Sequence, residues 1–152
     1  MKNKLIPTIV LAFSMIFITL PASAEVPEGW TSDFEAARET ASAEAKPLLL
    51  MFTGSDWCVW CKRMHREILD TKTFRQWAAD NLLLVYVDFP RQDYRSREVI
   101  RQNKKLDERY GVSGYPTLVL VDDTGRELGR FSYMEGGPKT FIRALERAIK
   151  KS

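Results

Sequence analysis

The sequence predicts an α/β fold with a central mixed β-sheet flanked by helices, and three observations carry that expectation. Leu48–Phe52, Leu82–Phe89 and Thr117–Val121 are short, largely apolar runs of strand length without polar alternation, as expected of strands covered on both faces. The segments between them place apolar residues at helical spacing. After the third run, Asp122-Asp123-Thr124-Gly125 signals a hairpin turn, so a sheet that begins parallel should end antiparallel.

The elements follow in order. Lys2 and Lys4 precede an apolar stretch from Leu5 to Leu20, and Ala22-Ser23-Ala24 supplies small residues before Glu25. This order is that of a secretory signal peptide, expected to be cleaved after residue 24. The stretch is short for a spanning helix, which needs about 20 residues. The 128 residues that remain make one domain, residues 25–152. Loss of the two leader lysines takes the formal net charge from +3 to +1. With no stripe of Lys and Arg interleaved with aromatics, nucleic acid is not an expected partner.

Ser32-Asp33-Phe34-Glu35 has the pattern of a capping box, with Ser32 and Glu35 as its two acceptors. A helix should run from there to Ala45, stopped by Lys46-Pro47. Thr53-Gly54-Ser55-Asp56 breaks the first buried strand. From Cys58 the spacing turns helical, with Cys61, Met64, His65 and Ile68 on one face, and a further helical piece carries Phe74, Trp77 and Ala78. Pro90 ends the second strand. Arg91 to Gln102 reads as a loop running into a helix that reaches about Tyr110. Arg126 to Tyr133 should return antiparallel to the third strand. Gly136-Gly137-Pro138 opens a last helix, with Phe141, Ile142, Leu145 and Ile149 on its buried face and Lys150-Lys151 at its C-terminal end.

The chemistry is expected at the two cysteines, Cys58 and Cys61, within Trp57-Cys58-Val59-Trp60-Cys61. A structural disulfide is most useful when it closes a long loop, and this pair closes almost none. A cysteine at a helix N-terminus faces unsatisfied N–H groups and the positive end of the dipole, which favour the reactive thiolate. Cys58 would therefore attack a substrate disulfide, and Cys61, more enclosed, would resolve the mixed disulfide. A zinc site needs about four ligands, whereas this chain has two Cys and one His. Covalent haem attachment needs His after the second cysteine, where Lys62 stands. Neither a metal nor a cofactor is expected. His65 lies two helical turns beyond Cys58, too far to touch it in a straight helix, and reads as a packed or half-exposed helix residue.

Trp57-Cys58-x-x-Cys61 after a buried strand, Tyr110-Gly111-Val112, Gly114-Tyr115-Pro116-Thr117 before a strand, and a Gly-Gly before the last helix together resemble the thioredoxin superfamily. The likeness covers about residues 30–150. Thr53 to Cys58 and Asp88-Phe89-Pro90 are similar to the exported bacterial thioredoxin-like proteins, periplasmic disulfide reductases among them. The resemblance implies a thioredoxin fold, a cis peptide bond before Pro116 beside the cysteines, and a Tyr115 that offers backbone groups to an extended substrate. Val59 and Trp60 lie where the family faces outward, so Trp60 should be exposed. Trp57 either joins an apolar rim for substrates or packs beneath the site. Trp57, Val59, Trp60, Tyr115 and Pro116 are the expected substrate-binding residues.

Two departures from thioredoxin matter. Val59-Trp60 replaces Gly-Pro, and the position of its buried Asp falls on Met51 or Phe52, neither of which titrates. Water or another carboxylate, Asp56 being the nearest, would have to serve. Val59 and Trp60 bring no positive charge and little hydrogen bonding, which favours a reductase over an oxidase or isomerase. A non-redox binding module is the remaining alternative. The expected partners are disulfide-containing exported proteins and a membrane thiol-transfer electron donor, in a periplasmic setting, with the protein a monomer.

Overall fold

The computed structural model describes residues 26–92 and 95–151. The leader expected over residues 1–24 lies outside them.

A two-residue strand β1 (Trp30–Thr31) precedes helix α1 (Phe34–Glu44), strand β2 (Leu48–Thr53) and helix α2 (Val59–Met64). Helix α2 runs into a π-helical turn over His65–Leu69. Helix α3 (Lys72–Asn81), β3 (Leu83–Asp88), α4 (Arg97–Tyr110), β4 (Thr117–Val121), β5 (Glu127–Phe131) and α5 (Gly137–Ile149) complete the order. The sheet order is β1-β3-β2-β4-β5. Strands β1, β3 and β2 run parallel, while β4 and β5 are antiparallel to their neighbours.

All six residues of β2 are buried because helices cover both faces of the sheet. The strand period of two sorts them. Leu49 and Met51, with Leu84, Tyr86, Leu118 and Leu120, pack under α2, α3 and α5. Leu48, Leu50 and Phe52, with Val85, Val87, Val119 and Val121, pack against α1 and α4. Each such side chain removed from water contributes about 1.5–3 kcal/mol. The continuous apolar runs of the sequence are the signature of this arrangement.

The expected capping box takes a different form. Asp33, not Ser32, is the N-cap of α1, its carboxylate accepting from Ala36 N–H at 3.0 Å. The Ser32 carbonyl instead accepts from Gln102 Nε2 on α4 at 2.8 Å, which draws that residue out of the cap. Glu35 pairs with Arg38 one turn on, rather than reaching back. Ala45 ends the helix in the left-handed region at φ 52°, and Lys46 N–H closes the turn on Ala41 at 3.0 Å.

Register sets the stage for the site. Strand β2 pairs Thr53 with Asp88 of β3 on one side and Phe52 with Thr117 of β4 on the other. The loop leaving β2 therefore emerges between the end of β3 and the start of β4.

Candidate active site

Gly54 to Trp57 carry the chain from β2 into α2, and their geometry places Cys58. Cys58 N–H donates to the Gly54 carbonyl at 2.8 Å, and Trp57 N–H does so at 3.2 Å. Asp88 is buried and holds this loop against β3, its two carboxylate oxygens accepting from Ser55 N–H at 2.9 Å and Ser55 Oγ at 2.6 Å. From the other side, Asn103 Nδ2 and the Arg95 guanidinium donate to the Asp88 carbonyl. Gly54 is required sterically: a Cβ there would lie 2.3 Å from the Trp57 indole.

Cys58 is the N-cap of α2, with its Sγ accepting from Cys61 N–H at 3.1 Å. The two cysteines form a disulfide with Cα atoms 5.2 Å apart. Cys58 is 6 % exposed and Cys61 1 %. Cys58 is thus the less enclosed sulfur, and negative charge on it is favoured by the helix terminus.

The residues expected at the substrate face divide. Val59 and Trp60 are 75 % and 53 % exposed. Trp57 is 38 % exposed yet anchored, its Nε1–H donating to the Phe89 carbonyl at 2.8 Å, so both roles left open for it apply. Tyr115 lies between Trp57, edge-on at 5.8 Å, and Phe89, stacked at 5.6 Å. Burial, and after it the nearby Asp107 charge, pushes its phenol up to about 12. Pro116 is buried, the Tyr115–Pro116 bond is cis, and its carbonyl accepts from Ser132 Oγ at 2.8 Å.

A cluster the sequence reading missed extends this rim. Trp60 sits 5.4 Å from the Tyr133 ring, and the Arg63 guanidinium lies over both, at 5.3 and 4.9 Å from their centroids. Glu67 accepts from Tyr133 Oη at 2.6 Å and from Arg63 Nε at 3.0 Å. These two bonds, the phenol first, hold its carboxyl below the usual carboxylate range. Lys62 is likewise engaged, its Nζ donating to the Asp56 carbonyl at 2.7 Å. The sequence signal was the spacing Trp60-x-x-Arg63-x-x-x-Glu67, but Tyr133 joins it only through the fold.

Asp56 does not serve Cys61. Its carboxylate accepts from Arg91 N–H at 3.0 and 3.1 Å, turned toward the segment after β3. Met51, at the position discussed for a buried acid, packs with both cysteines in an apolar cluster. The polar surroundings of Cys61 are found elsewhere, in a cleft of about 300 Å³ that it shares with Thr53, His65 and Tyr86.

A strand–loop–helix turn with a capping cysteine, set beside a cis-proline strand entry, matches a known family. The thioredoxin-like domain family matches residues 34–149. This chain belongs to the thioredoxin-like family.

The disulfide bond reductase DsbH of Chlamydia pneumoniae is 37 % identical over 121 residues, spanning 80 % of this chain and 72 % of that protein. The thioredoxin-related protein DsbJ of the same organism is 25 % identical over 80 % of this chain, which spans only 36 % of DsbJ. A solved structure of DsbH oxidoreductase superposes with a TM-score of 0.77 at 35 % identity, over 87 % of this chain and 90 % of that one. The mixed five-stranded sheet is thus a thioredoxin fold. Homology to a disulfide oxidoreductase, with a Cys-x-x-Cys disulfide in the thioredoxin fold, makes this thioredoxin-like protein a thiol–disulfide oxidoreductase.

Proposed function

We propose that the protein is a periplasmic reductase of disulfides in exported proteins. The observation that carries this reading is the asymmetry of the pair, Cys58 capping the N-terminus of α2 and Cys61 the more enclosed of the two. The similarity to a disulfide bond reductase supports the direction of electron flow. In the reduced protein the Cys58 thiolate attacks one sulfur of a substrate disulfide, and the other sulfur leaves as a thiolate. Cys61 then loses its proton and attacks Cys58. The Cys58–Cys61 bond forms, the mixed disulfide breaks, and the substrate departs with both electrons.

Trp57, Val59, Trp60, Tyr115 and Pro116 form the face on which the substrate chain lies, mixed aromatic surface on either side of the sulfur. A membrane thiol-transfer protein reduces the Cys58–Cys61 disulfide again, and the protein acts as a monomer. Residues 1–24 direct export and are removed. Absence of positive charge in Val59-Trp60, and the pairing of Arg63 with Glu67, keep cationic help for the Cys58 thiolate small. This supports a reducing rather than an oxidising pair.

The test is equilibration of the protein in graded thiol–disulfide buffers. A potential near or below that of thioredoxin, about −270 mV, is expected. A value well above the glutathione poise, near the roughly −120 mV of a strong oxidant, would make it an oxidase instead.

A further inference from the structure

Behind Cys61, on the side away from the aromatic rim, the structure holds an arrangement that the reductase reading does not use. His65 follows Cys61 by four residues, so the two share one helix face. Its imidazole is wedged between Trp30 of β1, with centroids 6.2 Å apart, and Tyr86 of β3 at 5.7 Å. His65 Nδ1 lies 3.1 Å from the Asp70 carboxylate.

That contact depends on the π-helical turn. Asp70 N–H donates to the His65 carbonyl at 2.8 Å, five residues back, which brings residue 70 over residue 65. In a regular α-helix the residue five on is turned roughly 140° away. A π-turn of this kind is an uncommon feature that often accompanies function.

A carboxylate only accepts, so a neutral His65 bonded to Asp70 carries its proton on Nδ1 and keeps a lone pair on Nε2. Nε2 is buried without a hydrogen-bond partner, and among the described residues the only other such side-chain atom is Thr53 Oγ1. Both residues, and Cys61 itself, line the same cleft of about 300 Å³. Thr53, Ser55 and Asp70 give this cleft its polar lining beside the imidazole and the Cys61 sulfur.

We propose that the His65–Asp70 pair is the proton acceptor for Cys61, reached through the cleft. This deepens the oxidoreductase reading and rests on it. During resolution the Cys61 thiol proton passes to His65 Nε2 across the cleft the two residues share. The thiolate so formed attacks Cys58 Sγ, and the electron pair of the broken bond leaves on the substrate sulfur. The imidazolium, stabilised by Asp70, then gives its proton to solvent at the cleft mouth. When a donor thiol reduces the disulfide at Cys58, the expelled Cys61 thiolate takes a proton back by the same route.

The other groups facing the imidazole are consistent with this assignment. Tyr86 stays a neutral phenol, since burial and then the Asp88 charge raise it well above its ordinary value. Lys62 and Arg66 also line the cleft, Lys62 bonded to the Asp56 carbonyl and Arg66 paired with Glu67. Trp30 brings no charge. Among the described residues, Asp70 is the carboxylate bonded to the ring.

The test separates the two half-steps. Reduced protein is mixed with excess glutathione disulfide across about pH 5 to 9, the span in which imidazoles and thiols change charge. Samples are quenched in acid and the Cys58–glutathione adduct is followed by mass. His65→Gln keeps the volume but cannot take a proton, and should slow loss of the adduct by about tenfold or more. The attack by Cys58, read as adduct formation, should keep its wild-type rate. The pH profile of resolution should lose one ionisation. Asp70→Asn, on the surface, should give a smaller slowing of the same step and serves if His65→Gln folds poorly. Resolution with the wild-type pH profile in both variants would overturn the proposal. An equal slowing of both half-steps would do so too, since it would mark His65 as packing only. Failure of the wild-type protein to form any adduct would instead sink the oxidoreductase reading beneath it.

Discussion

The two sides of the Cys58–Cys61 turn are built from different materials. Outward, Trp57, Val59, Trp60 and Tyr133 present apolar and aromatic surface with its cations already engaged. Inward, Cys61 borders a small cleft lined in part by the polar groups of His65, Thr53 and Asp70. An extended polypeptide gives up little on meeting the first surface, because few polar groups there must shed water. The second surface instead brings an imidazole and a carboxylate to the cleft that Cys61 borders. On the two proposals made above, one helical turn separates recognition from proton handling, with one sulfur assigned to each side.

The largest effect should come from breaking each side at its sulfur. Cys58→Ser is expected to abolish turnover of insulin disulfides, whereas Cys61→Ser should accumulate mixed disulfides visible on non-reducing gels. Equal behaviour of the two variants would erase the distinction between the sides.

Next comes Asp88, which ties the loop beneath both sides to β3. Asp88→Ala leaves Ser55 N–H and Oγ without their acceptor, and should cost about 1–3 kcal/mol in urea unfolding. An unchanged midpoint would show that the loop is held by Gly54 and Trp57 alone.

Trp60→Ala sharpens the comparison at its outer side. Trp60 is half exposed, so stability should change by no more than about 0.5 kcal/mol. KM for a protein disulfide should rise several-fold while that for glutathione disulfide stays put. Parallel changes in both would deny the rim a role in recognition.

The smallest effect lies at the far end of the sheet and serves as a control. Burial opposes ionisation of Asp122, but hydrogen bonds from Thr124 and Arg126 in the β4–β5 turn outweigh it and hold its carboxyl at about 2, against 3.8. A depressed folded value means stability present above about pH 4 and lost as pH falls toward 2. Asp122→Asn should flatten the stability–pH curve in that window alone and leave turnover at neutral pH untouched.

Much of this was legible in the chain. Strand β4 begins and ends where its apolar run does, and β2 extends its run only by Thr53, because strands covered on both faces need no polar alternation. The cysteine pair announced itself by closing no useful loop. Strand β1 was not legible: two residues carry no period, and Trp30 and Thr31 pair only because β3 offers an open edge. Ser32 looked the better cap until Gln102, seventy residues away, claimed its carbonyl. His65 was weighed against Cys58, two turns off, when its neighbour at helical spacing is Cys61. The π-turn that brings Asp70 to it is set by packing, and no local pattern marks it.

The contact between Gly54 and the Trp57 indole ties those two positions into one heritable unit. A side chain at 54 would have to occupy the space of the ring, so a single substitution at 54 is closed to drift while the tryptophan remains. Any descendant or redesign that places alanine there must first give up the large aromatic three residues on, and with it the tie to Phe89. The same restriction makes the pair, rather than either residue, the mark by which a distant cousin of this turn could be told from a chance Cys-x-x-Cys.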